Sequence, residues 1–367
     1  MASVIGNGPC NASSVHGDGQ RGRRLIEEAR ERIASALGAR PKDIVFTASA
    51  TEANNMAIVG SCESFSRTDI SNSLSPCVAT TTVEHPSVTG PTQWLKAERG
   101  FGLQTIPVTP SGEVDFEAYR DILTKSPCLV SVIAANNETG VIQPIERLSE
   151  AAKEQGCLVH LDATQWIGRL PFSVNELPVD MVTLSSHKLG GPQGAGALWV
   201  RGGLPLAPIL RGGHQERNRR AGTENVAAIA GFGMAIQAAS QALEGEYQRQ
   251  SKLRDRLWDG IQSLNMASRC YGGDAPRLPN TLNVSIPGLD GETLLMGLDL
   301  AGISVSSGSA CTAGSLEPSH VLLAMGIADE EARGAVRFSL GYASTEAEVD
   351  HTLSTLCDLV AHGTGEE

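Results

Sequence analysis

Three residues of this 367-residue chain stand where a side chain with chemistry to do would stand: Lys188, Asp162 and Cys311. Lys188 lies in "DMVTLSSHKLGGPQGAG", where an apolar run ends in Ser185, Ser186 and His187 before a glycine-rich stretch. An amine at the end of a buried strand is partly desolvated, which lowers its pKa and makes it a nucleophile able to form a Schiff base. Asp162 closes another apolar run, "CLVHLDATQ", with Gln165 close behind, and a carboxylate there needs a cation to offset its burial. Cys311 lies in "SVSSGSACTAGSLEPSH" among small and polar residues. A free cysteine is ordinarily a small buried hydrophobe, yet this one has little to pack against on a segment built to bend.

Two further clusters fall at the ends of apolar runs. "DIVFTASATEANN" reads as strand, turn and helix, so its free N–H groups and the hydroxyl of Thr51 form a phosphate cradle. The alternative is an ordinary helix cap by Ser49 or Thr51. "CLVSVIAANNETG" ends in Asn136, Asn137 and Glu138. Every one of these residues also has a plain structural reading: a surface lysine, a capping or ion-paired aspartate, a packed cysteine. Together they answer one requirement, that of pyridoxal phosphate. That cofactor needs a phosphate cradle, an aldehyde-capturing lysine and an anion that keeps its ring nitrogen protonated, so that the ring accepts electrons from a substrate carbon.

The elements that must position these groups follow from the hydrophobic pattern. "DIVFTAS", "CVATTTV", "LQTIPV", "CLVSVIAA", "CLVHLDA", "DMVTLSS" and "GALWV" are short apolar runs separated by helical stretches such as "TEANNMAIVGSC" and "IERLSEAAKEQG". This alternation predicts an α/β fold with a mostly parallel sheet covered by helices on both faces, whose ligands gather at the carboxyl ends of the strands. "GQRGRRLIEEARERIASALG" reads as an amphipathic helix and "SRTDISNSLSP" as a surface loop. A Gly-, Pro- and Arg-rich segment covers 204–222, and a long helical stretch, read as interrupted, runs over about 224–264. "TLNVSIPG", "ISVSSGSAC" and "AVRFSLG" belong to a smaller α+β domain. The expected division is an N-terminal arm over 1–15, a large domain over 16–225, and a linking helix with a small C-terminal domain over 226–367.

Several classes are disfavoured. A net charge of −12 argues against nucleic acid or an anionic membrane as partner. No run of about 18 apolar residues is evident, so no membrane-spanning helix is expected, and the first residues lack the pattern of a signal peptide. The eight cysteines, Cys10, Cys62, Cys77, Cys128, Cys157, Cys270, Cys311 and Cys357, contain no CxxC pair, which points to reduced thiols in a cytoplasmic protein rather than a disulfide framework or a zinc site. No G-x-G-x-x-G follows the first strand, as a dinucleotide-binding dehydrogenase would require.

"SSHKLGGPQGAGALWVR", "NNETGVIQP", "HLDATQ", "RRAGTENV" and "SSGSACTAGSLEPSHVLLAMG", in this order, resemble the cysteine desulfurases that supply iron–sulfur clusters. The resemblance runs from about Asn11 to the C-terminus. It implies a fold-type I pyridoxal-phosphate enzyme of the class-V aminotransferase family, with a seven-stranded sheet and a homodimeric assembly. Lys188 would then bind the cofactor, Asp162 its pyridinium nitrogen and Gln165 its ring hydroxyl. Asn137 would lie along the ring edge and near the substrate. His85, in "VEHPSV", would stack on the ring and move protons, although a histidine before proline is equally placed to cap a helix. The phosphate would meet Ala50, Thr51, Ser185 and His187, with Thr223 from the neighbouring subunit. Arg337, in "VRFSLG", would clamp the substrate carboxylate through its two-pronged guanidinium.

The activity implied is conversion of L-cysteine to L-alanine, leaving a persulfide on Cys311 for an iron–sulfur scaffold or another acceptor protein. No resident metal site is expected, though Cys311 would be placed to contact a transient cluster. A selenocysteine lyase or related lyase would share Lys188 and Asp162, and a poorly active partner-binding scaffold is a further alternative. The family's opening strand has no counterpart here, Ala48 and Ser49 stand where relatives more often carry Ser-Gly, and Cys10 matches nothing in the pattern.

Overall fold

Seven apolar runs become the strands of one sheet in the computed structural model. They are β1 (Ile44–Thr47), β2 (Cys77–Thr81), β3 (Gly102–Ile106), β4 (Leu129–Ile133), β5 (Leu158–Asp162), β6 (Met181–Ser185) and β7 (Gly196–Val200). The structure describes residues 1–6, 8, 11–68, 76–264, 266–287, 289–307 and 317–363. The strand order is β1-β7-β6-β5-β4-β2-β3, with β2 through β6 parallel and β7 antiparallel to both its neighbours. Every residue of β1, β4, β6 and β7 is buried. Strands covered on both faces need apolar residues at every position, and for that reason they read as runs rather than as alternations. Helix Ala50–Thr68 lies against this sheet, placing Met56, Ala57, Ile58 and Cys62 among Val45, Val78, Leu129, Met181 and Leu198. Most of the Ser-rich segment read as a loop, 69–75, lies outside the described residues.

The chain divides into two compact units, and not by a single cut near residue 225. Unit 1 holds 1–106, 116–134 and 144–243; unit 2 holds 107–115, 135–143 and 244–367. The two short excursions join unit 2 because their backbone pairs there. Val141 bridges Arg277, Leu278 N donates to Gly140 O at 2.8 Å, and Ile142 N donates to Pro276 O at 2.8 Å.

The long helix, Val226–Gln262, is continuous rather than interrupted. Its glycines do not break it because one of them serves a close approach. A Cβ on Gly233 would lie 2.6 Å from Ala29 Cα, so only glycine lets the two helices touch there. This helix is long and apolar enough, by length and composition, to cross a membrane, a test that a core helix also passes, and 44% of its apolar window is buried inside the protein. In unit 1 it buries Phe232, Ile236 and Ala239.

Unit 2 carries an antiparallel sheet of β8 (Arg269–Cys270), β9 (Thr281–Ser285), β10 (Ser306–Ser307) and β11 (Val336–Ser339), in the order β10-β11-β9-β8. Its core joins Leu253, Leu257 and Ile261 to Leu282, Val284, Leu298, Val336, Phe338 and Leu356. The two-residue β8 is too short to carry a pattern in sequence.

Candidate active site

Four strands of unit 1 end in polar residues at the same edge of the sheet. At the end of β5 the carboxylate of Asp162 is buried, 4% exposed, and fixed from two sides. Asn54 Nδ2 donates to Oδ2 at 2.8 Å, and Thr164 N donates to Oδ1 at 3.0 Å. Asn54 Nδ2 also donates to Ser87 Oγ at 2.8 Å, and Ser87 Oγ lies 2.8 Å from His85 Nδ1. Because Ser87 N also donates to His85 Nδ1, at 3.1 Å, that nitrogen is an acceptor and the neutral ring carries its proton on Nε2. His85 therefore does cap helix Pro86–Arg99, and the cap is what orients its ring. A chain of hydrogen bonds thus links Asp162 to His85 through two residues that the sequence did not single out.

Glu84 is a third. It is fully buried, and its Oε1 accepts from Thr81 Oγ1 and from Ile133 N, both at 2.7 Å. Burial pushes its carboxyl up to about 8, with the charge of Asp162 acting in the same direction. His160, two residues before Asp162, is held between Ser131 Oγ at 2.8 Å and Thr183 Oγ1 at 3.0 Å, and burial pushes it down to about 4. It is a neutral structural histidine that links three strands.

β6 delivers Ser185, whose Oγ lies 2.8 Å from His187 Nδ1. Burial, and then the charge of Lys188, hold His187 below the ordinary histidine value. Lys188 sits half-buried in the single turn His187–Leu189. Arg169 ties this turn to the one after β5, donating to Lys188 O at 2.9 Å and to Gln165 O at 3.0 Å. Lys188 and Gln165 are thereby set by one guanidinium, which spacing along the chain does not reveal.

The turn after β1 satisfies both readings of "TASATEANN". Ser49 Oγ accepts from Glu52 N at 3.1 Å, while Glu52 Oε2 accepts from Ala48 N at 2.9 Å, a reciprocal cap. With Ser49 and Glu52 serving the cap, Ala50 and Thr51 form the first turn, where a helix favours an anion, and Thr51 is exposed. Arg220 grips Glu52 through Nε–Oε1 at 2.7 Å and Nη2–Oε2 at 3.1 Å. Shortly before it, Glu216, Arg217 and Asn218 take left-handed φ values of 45, 57 and 66°. Such a run persists only where surroundings hold it. Here Arg30 forks onto Glu216 with two bonds of 2.8 Å, and Phe46 N donates to it at 2.9 Å. Thr223 follows this anchored loop and is exposed.

Unit 2 brings Asn137 and Arg337 together. Arg337, on β11, donates to Asn137 O at 2.9 Å and to Ser306 Oγ at 3.3 Å. Asn136 instead folds the turn, its Oδ1 accepting from Glu138 N at 2.9 Å and Thr139 N at 3.0 Å. Glu138 is buried, accepts from the hydroxyl of Ser319, and is raised above the usual carboxylate value by that burial. Cys311 and Cys10 lie outside the described residues.

The residues of unit 1 fit pyridoxal phosphate by their chemistry: a helix start with hydroxyls, a lysine, and a buried carboxylate awaiting a cation. Four buried polar atoms at the ends of these elements, Asn54 Oδ1, Thr82 Oγ1, Thr164 Oγ1 and Ser186 Oγ, have no partner within the protein, as a polar ligand's site requires. Among the described residues no three His, Cys, Asp or Glu side chains are grouped to hold a metal ion.

The profile of the family named Aminotransferase class-V matches residues 6–352. The cysteine desulfurase IscS of Dictyoglomus turgidum is 42% identical over 346 residues, which is 94% of this chain and 86% of that protein. A solved structure of a NifS-like protein superposes with a TM-score of 0.88 at 36% identity, covering 96% of this chain and 92% of its own. The structure of SspA in complex with cysteine superposes with a TM-score of 0.78 at 30% identity, covering 93% and 95%.

Proposed function

The chain belongs to the class-V aminotransferase family as a pyridoxal-phosphate-dependent cysteine desulfurase, and from that premise we propose how its own residues divide the reaction. The observation that carries the assignment is the buried Asp162–Asn54–Ser87–His85 chain at the strand ends beside Lys188. When bound, pyridoxal phosphate supplies an aldehyde for amine capture and an electron-accepting ring.

Lys188 Nζ would be the amine that holds the cofactor through its aldehyde. Asp162, fixed by Asn54 and Thr164, would keep a proton on the ring nitrogen, and Gln165 would meet the ring hydroxyl. His85 would move a proton at the cofactor through Nε2, because its Nδ1 accepts from Ser87 N. Ala50, Thr51, Ser185 and His187 would receive the phosphate, joined in a homodimer by Thr223 of the partner subunit. Arg337 takes the carboxylate of L-cysteine beside Asn137. Cys311, as thiolate, attacks the substrate sulfur: the Cys311–sulfur bond forms, the substrate carbon–sulfur bond breaks, and protonation at carbon yields L-alanine. The persulfide passes to an acceptor protein, with iron–sulfur cluster assembly the receiving process and iron its cargo rather than a resident ion. Eight cysteines with no CxxC pair in the sequence suit a cytoplasmic setting.

The assay is alanine and sulfide release from L-cysteine with a reductant. Cys311→Ala is expected to keep the yellow cofactor and to lose roughly 100-fold or more of sulfide release. Lys188→Ala is expected to lose both products. Full desulfuration by Cys311→Ala would move the nucleophile to another residue.

A further inference from the structure

The small sheet of unit 2 sets three polar side chains in one row. Register pairs Ser306 of β10 with Arg337 of β11, and Arg337 with Asn283 of β9. Residues directly opposite in antiparallel strands share a face. The row meets a single turn of the 135–143 excursion, which belongs to the same unit. Arg337 Nη1 donates to Asn137 O at 2.9 Å and Nη2 to Ser306 Oγ at 3.3 Å. The fully buried Asn283 donates through Nδ2 to Glu138 O at 3.1 Å. Side chains of the sheet thus fix the backbone that carries Asn137, and the Glu138 side chain reaches to another element.

Glu138 is 5% exposed, and Ser319, whose hydroxyl donates to Glu138 Oε2, is 1% exposed. Ser319 Oγ also accepts from Leu322 N at 3.2 Å, capping helix His320–Ala324. A hydroxyl has one proton and two lone pairs, so it serves both contacts at once. A carboxyl buried this deeply is costly unless it is hydrogen-bonded and close to positive charge. Burial raises Glu138, and the Ser319 hydrogen bond, then the charges of His320 and Arg337, act against that rise. The reaction as described above does not use this carboxyl. Its surroundings along the chain supply a use: Ser306 lies five residues before Cys311, and Ser319 eight residues after it. Both serines are tied to adjacent residues of one turn, Ser306 through Arg337 to Asn137 and Ser319 directly to Glu138.

We propose that Glu138 is a positioning residue for sulfur transfer: with Arg337 it ties the chain on both sides of Cys311 to the turn that carries Asn137. This rests on the reading above, in which Cys311 attacks the substrate sulfur and Arg337 takes the substrate carboxylate. The guanidinium that meets the substrate and the carboxyl that holds Ser319 grip neighbouring residues of one turn. Nucleophile and substrate are therefore referred to the same backbone, and Glu138 acts through Ser319 rather than on the substrate. A misplacement of about 1 Å between reacting groups can cost roughly 100-fold in rate, so such a tie matters for kcat.

The test compares two reactions of the cofactor-loaded full chain. One is sulfide release from L-cysteine with a reductant. The other is exchange of the L-alanine α-hydrogen in deuterium oxide, which needs substrate binding and proton transfer but no sulfur nucleophile. Glu138→Ala is expected to lower kcat for sulfide release roughly tenfold or more. Its KM for L-cysteine and its alanine exchange should stay within about twofold of wild type. Glu138→Gln, whose amide oxygen still accepts from Ser319, should recover kcat to within about threefold of wild type. Ser319→Asp keeps the helix cap but sets a second carboxylate against Glu138, so it should lose kcat as Glu138→Ala does. Combining Glu138→Ala with Ser319→Ala should be no slower than the slower single variant, as expected for two ends of one contact. The proposal is overturned if Glu138→Ala loses alanine exchange as fully as sulfide release, or if Ser319→Asp matches wild type. If Cys311→Ala is inactive while Glu138→Ala releases sulfide at the wild-type rate, the proposal alone falls. Sulfide release by Cys311→Ala overturns the reading beneath it and the proposal with it. Should Glu138→Ala fail to fold, Ser319→Asp carries the same comparison.

Discussion

Glu84 shows what a single residue contributes without touching the reaction. Its carboxyl lies near 8 in the fold against an ordinary 4.5, so the folded chain keeps a proton that the unfolded chain has released. Its contribution to stability is therefore present below about pH 4.5 and is lost as pH rises through 8, with a slope of about 1.4 kcal/mol per pH unit between. His160 has the opposite sign and a lower window. Depressed to about 4, it costs stability only as pH falls below the ordinary histidine value. Thermal melts between pH 6.5 and 9 isolate Glu84: wild-type Tm should fall across this range, and Glu84→Gln should flatten the fall. Parallel slopes would show that the carboxyl is ionised in the fold. Sequence pointed to Lys188 and Asp162 because a charged residue after an apolar run is conspicuous. It passed over Asn54, Ser87 and Arg169, whose roles arise from contacts such as Asn54–Asp162, made across 108 positions.

At the scale of elements, the start of helix Ala50–Thr68 depends on two supports. One is the Ser49–Glu52 cap; the other is Gly196 on β7, paired with Thr47 of β1. A Cβ on Gly196 would lie 2.5 Å from Ser49 C and 2.9 Å from Ala50 N, against backbone that cannot swing aside. Ser49→Ala should cost about 1 kcal/mol of stability and weaken cofactor binding modestly. Gly196→Ala should weaken it more, by roughly tenfold, because it displaces the first-turn N–H groups themselves. Absorbance titration with pyridoxal phosphate separates the two, and equal affinities would mean that the helix start is not the phosphate site. All seven large-sheet strands were legible as short runs, most of them because burial on both faces demands apolar residues, whereas the edge strand β3 is buried only at Ile106. The excursions 107–115 and 135–143 were not, because only their pairing with distant residues assigns them to unit 2.

For the whole molecule, the proposed exchange of Thr223 between subunits is testable by mixing. Lys188→Ala and Thr223→Ala homodimers should each be impaired. After denaturation and joint refolding, the mixed dimer regains one intact site, so roughly a quarter of all sites should recover if subunits combine at random. No recovery would place Thr223 in its own subunit's site. The amino-acid sequence by itself determined the α/β class and the strand inventory of the large sheet, because hydrophobic period is a local property, and its motifs in order determined the family and so the cofactor. Only the tertiary structure decided that Asn54 and Ser87 join Asp162 to His85, and that a bidentate Arg30 holds three left-handed residues before Thr223. Those contacts join residues far apart in the chain, and a partner that arrives only when the chain closes leaves no mark on the local pattern.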